Sequence, residues 1–220
     1  MTDTNILIDQ LAAHARPVRR LASPLRRTLL WTVLASAVIA LIAAAYGLRP
    51  GFATEFAAAP ARIEWLASLL TGLFAAYAVF QISVPGRSPR WAWLPVLPLV
   101  LWLSGIGWGC ARDLARMGNE AFAFEAASWE CSVAITLTSV PLGLILLLMV
   151  RHAGVVRPGP TAMLTALGAA ALSAAGVSLY HGGESALMVL VWHLGAVALL
   201  SLLCLLFGRP LFSWIGHAKP

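Results

Sequence analysis

Charged residues are scarce in this chain: Asp, Glu, Lys and Arg account for 11% of its 220 residues, against 60% hydrophobic residues. The mean hydropathy is +0.83, and so little polar surface cannot cover a soluble particle of this size. The net charge of +6 does not indicate nucleic-acid binding, because a basic binding face needs an extended surface in water. We expect no direct contact with nucleic acid.

The motifs of several enzyme classes are also missing. The sequence has no Cys-x-x-Cys motif of a disulfide oxidoreductase and no Gly-rich phosphate loop after a strand. Within its apolar stretches it has no set of Ser, His and acidic residues resembling a protease site. We therefore expect that the protein is not an enzyme.

What the chain has instead is six apolar stretches, each long enough to cross about 30 Å of hydrocarbon at about 1.5 Å per residue. None contains Asp, Glu, Lys or Arg in its central part. They cover 28–47, 63–84, 91–109, 129–150, 161–180 and 185–207. We predict an all-α membrane protein in which residues 28–207 form one bundle of six transmembrane helices, flanked by an N-terminal arm (1–27) and a short tail (208–220).

The charges between the stretches predict an orientation. An even number of crossings places both termini on one side, and that side then holds 11 of the 15 basic residues, whereas most carboxylates fall on the other. By the positive-inside rule both termini are cytoplasmic. The first stretch is longer than the core of a secretory signal and follows Arg26 and Arg27, so we expect an uncleaved anchor.

The N-terminal arm is the largest segment outside the predicted spans. Residues Leu7, Ile8 and Leu11 lie on or beside one face of a predicted short helix that Pro17 ends. A basic run follows, which includes Arg16, Arg19 and Arg20 and extends to Arg27. The arm is interpreted in two ways: attachment to anionic lipid headgroups, or docking of the apolar residues into a groove of a soluble partner.

Small residues and tryptophans predict how the helices pack. Small residues recur every four positions at Ser36, Ala40 and Ala44, at Ala67, Thr71 and Ala75, and at Ala166, Ala170 and Ala174. Such ridges allow close approach of helices in lipid. Tryptophans near the ends of stretches, Trp31 among them, are predicted at the headgroup level, and Trp102 is predicted between helices.

Chemically reactive residues gather on the predicted outer side. Cys110 ends the third stretch and Cys131 begins the fourth, with Glu130 beside it and His181 in the last outer turn. Thiolate, imidazole and carboxylate groups are ligands for Zn²⁺ or Cd²⁺, although the spacing matches no fixed zinc motif. Three interpretations stay open: a structural disulfide, a redox sensor, or a metal sensor whose ligands include Cys110, Cys131 and His181.

His193 is the remaining polar residue of note, inside the sixth stretch. An ionisable group at that depth predicts either a function or a neutral imidazole bonded to a neighbour. A small transporter or channel is the alternative function, and a membrane redox enzyme is a further one. The lack of intramembrane acids argues against proton relay and transport.

Several short motifs resemble one family. They are the run from Arg16 to Leu21, Gly47 to Pro50, Ser83 to Gly86, Ser128 to Cys131, and Trp192 to Gly195. In combination, and over essentially the full chain, they resemble the NrsF family, negative regulators of sigma F.

The resemblance implies an anti-sigma factor in a bacterial inner membrane, whose partners are the lipid bilayer and an extracytoplasmic-function sigma factor. It implies release of that sigma factor when cysteines on the periplasmic side respond to stress. Cys131 matches the family motif, and Cys110 is the candidate second cysteine. Position 181 is His; if the family's second cysteine belongs in that turn, a metal is favoured over a disulfide.

Overall fold

A computed structural model describes residues 2–13, 21–118, 129–181 and 190–214, and within these residues all regular structure is helical. A 3-10 turn at Pro89–Trp93 precedes α5, and a π-helical segment at Leu190–Leu194 precedes α8. The α-helices are α1 (Thr2–Ala13), α2 (Pro24–Tyr46), α3 (Phe52–Ala57), α4 (Ala59–Ile82), α5 (Val96–Met117), α6 (Trp129–Val150), α7 (Pro158–Val177) and α8 (Gly195–Trp214).

Six of these helices are long and apolar enough to cross a membrane: α2, α4, α5 together with its 3-10 turn, α6, α7 and α8. The prediction of an all-α bundle with six spans is confirmed. The arm helix α1 and the short helix α3 are the two others. The chain is therefore a multi-pass membrane protein.

Capping residues explain why some helices extend beyond the apolar stretches. The Ser23 hydroxyl accepts a hydrogen bond from the backbone N–H of Arg26 at 3.3 Å, and Pro24 fits the first turn, so α2 begins four residues before position 28. At its other end, α5 continues to Met117, where Gly118 takes a left-handed φ of 59° and ends the helix.

Helix α7 lies at the centre of the bundle. It packs against α2, α4, α6 and α8, and most of its length is buried. Small side chains make this possible: a Cβ on Gly72 of α4 would lie 3.1 Å from the carbonyl oxygen of Gly168 in α7. Helix α5 is peripheral by comparison, because it packs mainly against α4.

The helices alternate in direction and define two ends of the bundle. At the arm end, where α2 and α7 begin and α4 and α6 finish, a cluster of buried residues includes Trp31, Phe80 and Leu146. At the far end, where α2 and α7 finish and α4 and α6 begin, a second cluster surrounds Trp102, Ile106 and Ile135. The candidate docking arm joins the bundle at the arm end, and the candidate sensing residue Cys110 lies at the far end.

Two packing predictions for α2 were wrong. Its buried face consists of Arg27, Thr28, Trp31, Ala35, Ile39 and Ala43, whereas Ser36, Ala40 and Ala44 are exposed. Trp31 is fully buried and not at a headgroup surface. The reason is that most of positions 35–45 are small or apolar, so the spacing of small residues does not identify the face that meets other helices. In α4, by contrast, Ala67, Thr71 and Ala75 are all buried.

Candidate functional site

The arm helix α1 leaves its apolar side chains uncovered. Leu7, Ile8 and Leu11 are each more than half exposed, and among the described residues α1 makes no extensive contact with another helix. An exposed apolar group on a helix outside the bundle is suited to binding a protein groove or a lipid surface. Arg16, Arg19 and Arg20, which were predicted to act with it, lie outside the described residues.

The arm joins the bundle at a buried arginine. Arg27, in the first turn of α2, is 6% exposed. Its Nη2 donates a hydrogen bond of 2.6 Å to the carbonyl oxygen of Met149 in α6, and its guanidinium lies 4.4 Å from the centre of the Phe80 ring in α4. Arg27 therefore belongs to the bundle, which corrects its assignment to a basic run at the headgroups; Arg26 beside it is exposed.

A second hydrogen bond connects the same two helices. The indole Nε1 of Trp31 donates to the carbonyl oxygen of Leu142 at 3.0 Å, fully inside the bundle. Leu142 and Met149 are seven residues, about two helical turns, apart on α6. The first two turns of α2 are thus bonded to the second half of α6, and these two turns follow directly from the arm.

At the far end, Cys110 continues the buried face of α5. That face contains Pro98, Trp102 and Ile106, and Cys110 follows one turn later as a partly buried free thiol. It packs against the far-end cluster and lies within electrostatic range of Asp113 and Glu64. The cysteine is therefore held between helices at this end.

The beginning of α6 and the end of α7 reach the same cluster. Ala134, three residues after Cys131, and Tyr180, beside His181, both pack against it. The backbone N–H of His181 donates to the carbonyl oxygen of Val177 at 2.8 Å. Cys110, the first turn of α6 and His181 are thus at one end of the bundle. Helices α5 and α6 do not pack along their lengths in the described part of the chain, since α5 lies on α4 and α6 on α7.

Three residues singled out in the sequence have side chains that the structure does not describe. The side chains of Glu130, Cys131 and His193 lie outside the described residues; the backbone places His193 in the π-helical segment before α8. Among the side chains that the structure does describe, no three His, Cys, Asp or Glu groups are arranged to hold a metal ion. Whether Zn²⁺ or Cd²⁺ binds there stays a prediction.

Sequence reasoning missed a charged cleft beside Cys110. It has a volume of about 280 Å³ and lies between α4 and α5, with Glu64, Gly105, Gly109 and Arg112 on its walls. Glu64 packs across α5 at Gly105, where a Cβ would lie in ordinary contact, 3.5 Å from the Glu64 Cβ. Glu64 of α4 and Arg112 of α5 thus bring opposite charges to the same cleft, at the end of the bundle where Cys110 lies.

The sequence did contain a signal for the buried arginine. Arg27, Trp31, Ala35, Ile39 and Ala43 recur every four residues and form one continuous face of α2. Arg27 was not assigned to this face, because a basic residue at a predicted membrane boundary is expected to face the headgroups.

Comparison with known proteins identifies a family. The sequence model of the NrsF family, described as "Negative regulator of sigma F", matches residues 11–214. No curated protein and no solved structure matches the chain.

Proposed function

The chain belongs to the NrsF family of negative regulators of sigma F, and we propose from this that it is an anti-sigma factor that holds an extracytoplasmic-function sigma factor at a bacterial inner membrane. In this proposal both termini are cytoplasmic, the arm binds the sigma factor, and the far end faces the periplasm. A change at Cys110 and Cys131, by oxidation or by binding of Zn²⁺ or Cd²⁺, releases the sigma factor. The protein acts as a regulator and not as an enzyme.

The uncovered apolar group of α1 is the observation that best supports the docking role. Leu7 and Leu11 are one helical turn apart and are 54% and 65% exposed. An amphipathic helix that places such residues in a partner's groove gains most of its affinity from a few of them. Because only ten residues separate α1 from the start of α2, a soluble partner bound to α1 would be held near the bundle.

The connection between the ends supports the sensing role. Cys131 is in the first turn of α6, and the other end of α6 accepts the hydrogen bonds from Trp31 and Arg27 of α2. Movement of α6 at the far end would therefore displace the first two turns of α2, where the arm joins the bundle. A change between two states from 99:1 to 1:99 requires a ligand or oxidation to favour one state by about 5.5 kcal/mol.

Removal of the arm's apolar side chains tests the docking role. We expect the double substitution Leu7→Ala and Leu11→Ala to weaken binding of the sigma factor to the purified full-length protein at least about tenfold, since truncating one anchor at an interface often costs more than about 1 kcal/mol. Asn5→Ala on the same helix is the control and should bind normally. Equal affinity of all three proteins would reject α1 as the docking element.

Substitution of the two far-end thiols tests the sensing role. Cys110→Ser combined with Cys131→Ser should leave repression of a sigma-dependent reporter intact and abolish its induction by a thiol oxidant or by Zn²⁺ or Cd²⁺. Cys204→Ser is the control, because Cys204 packs against the arm-end cluster. Normal induction of the double variant would show that these thiols are not the sensor.

A further inference from the structure

Arg27 places a positive charge inside the membrane bundle, where few groups contact it. Among the described residues no carboxylate lies against it, and its guanidinium is held by the Met149 carbonyl oxygen and the Phe80 ring. Removing a charge from water costs several kcal/mol unless its partners are well placed. Met149 is in the last turn of α6, where carbonyl groups lack partners within the helix and the helix dipole attracts a cation. The site is therefore favourable enough to hold the guanidinium, at a substantial desolvation cost.

From its place in the first turn of α2, the Arg27 side chain is also long enough to reach the surface of the bundle. Arg27 is in the first turn of α2, only three residues after Pro24, and the neighbouring Arg26 is exposed at this depth. A long basic side chain near a helix end can extend its charge to the headgroup layer and water. Arg27 can thus be inserted between α2, α4 and α6, or withdrawn to the surface at the arm end.

The two positions have different consequences for the arm. When Arg27 is inserted, the first turn of α2, which follows the arm, is bonded to the end of α6. When it is withdrawn, this bond and the contact with Phe80 are lost, while the Trp31 bond two turns further along α6 can remain. The change is confined to the first turn of α2, where the arm joins the bundle.

We propose that Arg27 is a latch that positions the arm: insertion of its guanidinium between Met149 and Phe80 favours the sigma-binding state, and its withdrawal favours release. As a statement about sigma-factor binding, this rests on the proposed function. Movement of the α6 carboxyl end is what withdraws the guanidinium, because Met149 supplies its hydrogen-bond acceptor. Arg27 is a positioning residue and does not itself contact the sigma factor.

The test uses full-length protein in lipid nanodiscs and two measurements, hydrogen exchange of peptides covering 142–153 and affinity for the sigma factor. Arg27→Ala removes the latch; we expect exchange over 142–153 to be about tenfold faster and the sigma factor to bind about tenfold more weakly, the effect of losing one hydrogen bond from a charged group. Arg26→Ala, which alters an exposed arginine of the same turn, should change neither.

Arg27→Met separates a latch from a purely structural residue. Methionine fills the same space without a charge to desolvate, so the inserted packing should persist, with a thermal midpoint equal to or above that of the unaltered protein. Its affinity for the sigma factor should then be at least as high. A lower midpoint for both Arg27 variants with unchanged sigma-factor affinity would mean that Arg27 only supports folding, and would overturn the latch.

The two proposals fail in different ways. If Leu7→Ala with Leu11→Ala leaves sigma-factor binding unchanged, the docking role of α1 is wrong, while exchange over 142–153 in Arg27→Ala still decides whether α2 is latched to α6. If exchange is unchanged in Arg27→Ala but the arm variant loses binding, the latch is wrong and the docking role stands.

Discussion

Individual polar side chains hold this bundle together by donating to the main chain of other helices. In lipid the hydrophobic effect does not favour helix association, because lipid tails are as apolar as the side chains. Close packing and interhelical hydrogen bonds must therefore stabilise the bundle. Such bonds run from Arg27 to Met149, from Trp31 to Leu142, from Trp65 to Ala175, from Ser68 to Ala171 and from Ser173 to Ile135. Three of the five reach α7 or start from it, in agreement with its central position.

Trp31 offers the clearest test at this scale. Trp31→Phe keeps an aromatic ring but leaves the bond to Leu142 unmade, and we expect the free energy of unfolding to fall by about 1 to 2 kcal/mol from the lost bond and the smaller ring. Thermal unfolding in detergent measures it. Trp93→Phe is the control, because Trp93 is 74% exposed. Equal loss in both variants would mean that the buried bond contributes nothing specific.

Helices approach one another closely at glycines. The sites differ in whether the neighbouring atoms could move to make room for a larger residue. A Cβ on Gly208 of α8 would lie 2.7 Å from the Gly159 Cα and from the Pro158 carbonyl oxygen, both backbone atoms of α7. A Cβ on Gly176 of α7 would lie 2.7 Å from Cγ2 of Ile39, a side-chain atom that can move. A Cβ on Gly107 of α5 would meet nothing within 4 Å.

These three glycines predict a graded series of alanine variants. Gly208→Ala should destabilise the protein most, by about 3 kcal/mol, because two helices must separate; Gly176→Ala should cost about 1 kcal/mol as Ile39 moves. Gly107→Ala should be neutral or slightly stabilising, since alanine favours the helix. Thermal midpoints of the three variants give the order. A Gly208→Ala protein as stable as Gly107→Ala would contradict the close contact between α7 and α8.

On the scale of the whole molecule, orientation remains a prediction from the unequal distribution of basic residues. It is tested with single cysteines introduced into a variant in which Cys110, Cys131 and Cys204 are replaced by Ser. A thiol reagent that cannot cross membranes should label Met117→Cys in intact spheroplasts and should label Arg151→Cys only after permeabilisation. Both parent residues are exposed, at opposite ends of the bundle. The reverse pattern would place the far-end thiols in the cytoplasm and reject periplasmic sensing.

The two candidate sites differ in how well the sequence predicts them. Leu7, Ile8 and Leu11 were identified from spacing alone and are exposed on a helix, because no other described helix packs extensively against α1 to alter the pattern. Cys110 was identified by its position at the end of a stretch, but Glu64, at the start of the second stretch, and Arg112, in the connection after the third, were not expected to lie beside it. Their proximity depends on the packing of α5 on α4, which places residues 48 positions apart in sequence around one cleft.

Hydropathy and charge, which are summed locally along the chain, were sufficient to determine six membrane-crossing helices and an unequal distribution of basic residues between their connections. They could not determine which face of each helix is buried, because lipid and a neighbouring helix accept the same apolar side chains. Only the tertiary structure decided that Ala35 and not Ser36 faces inward, that α7 is central, and that Arg27 lies against Met149 and Phe80. These features depend on contacts with helices that are distant in sequence, and a local stretch of sequence carries no information about those contacts.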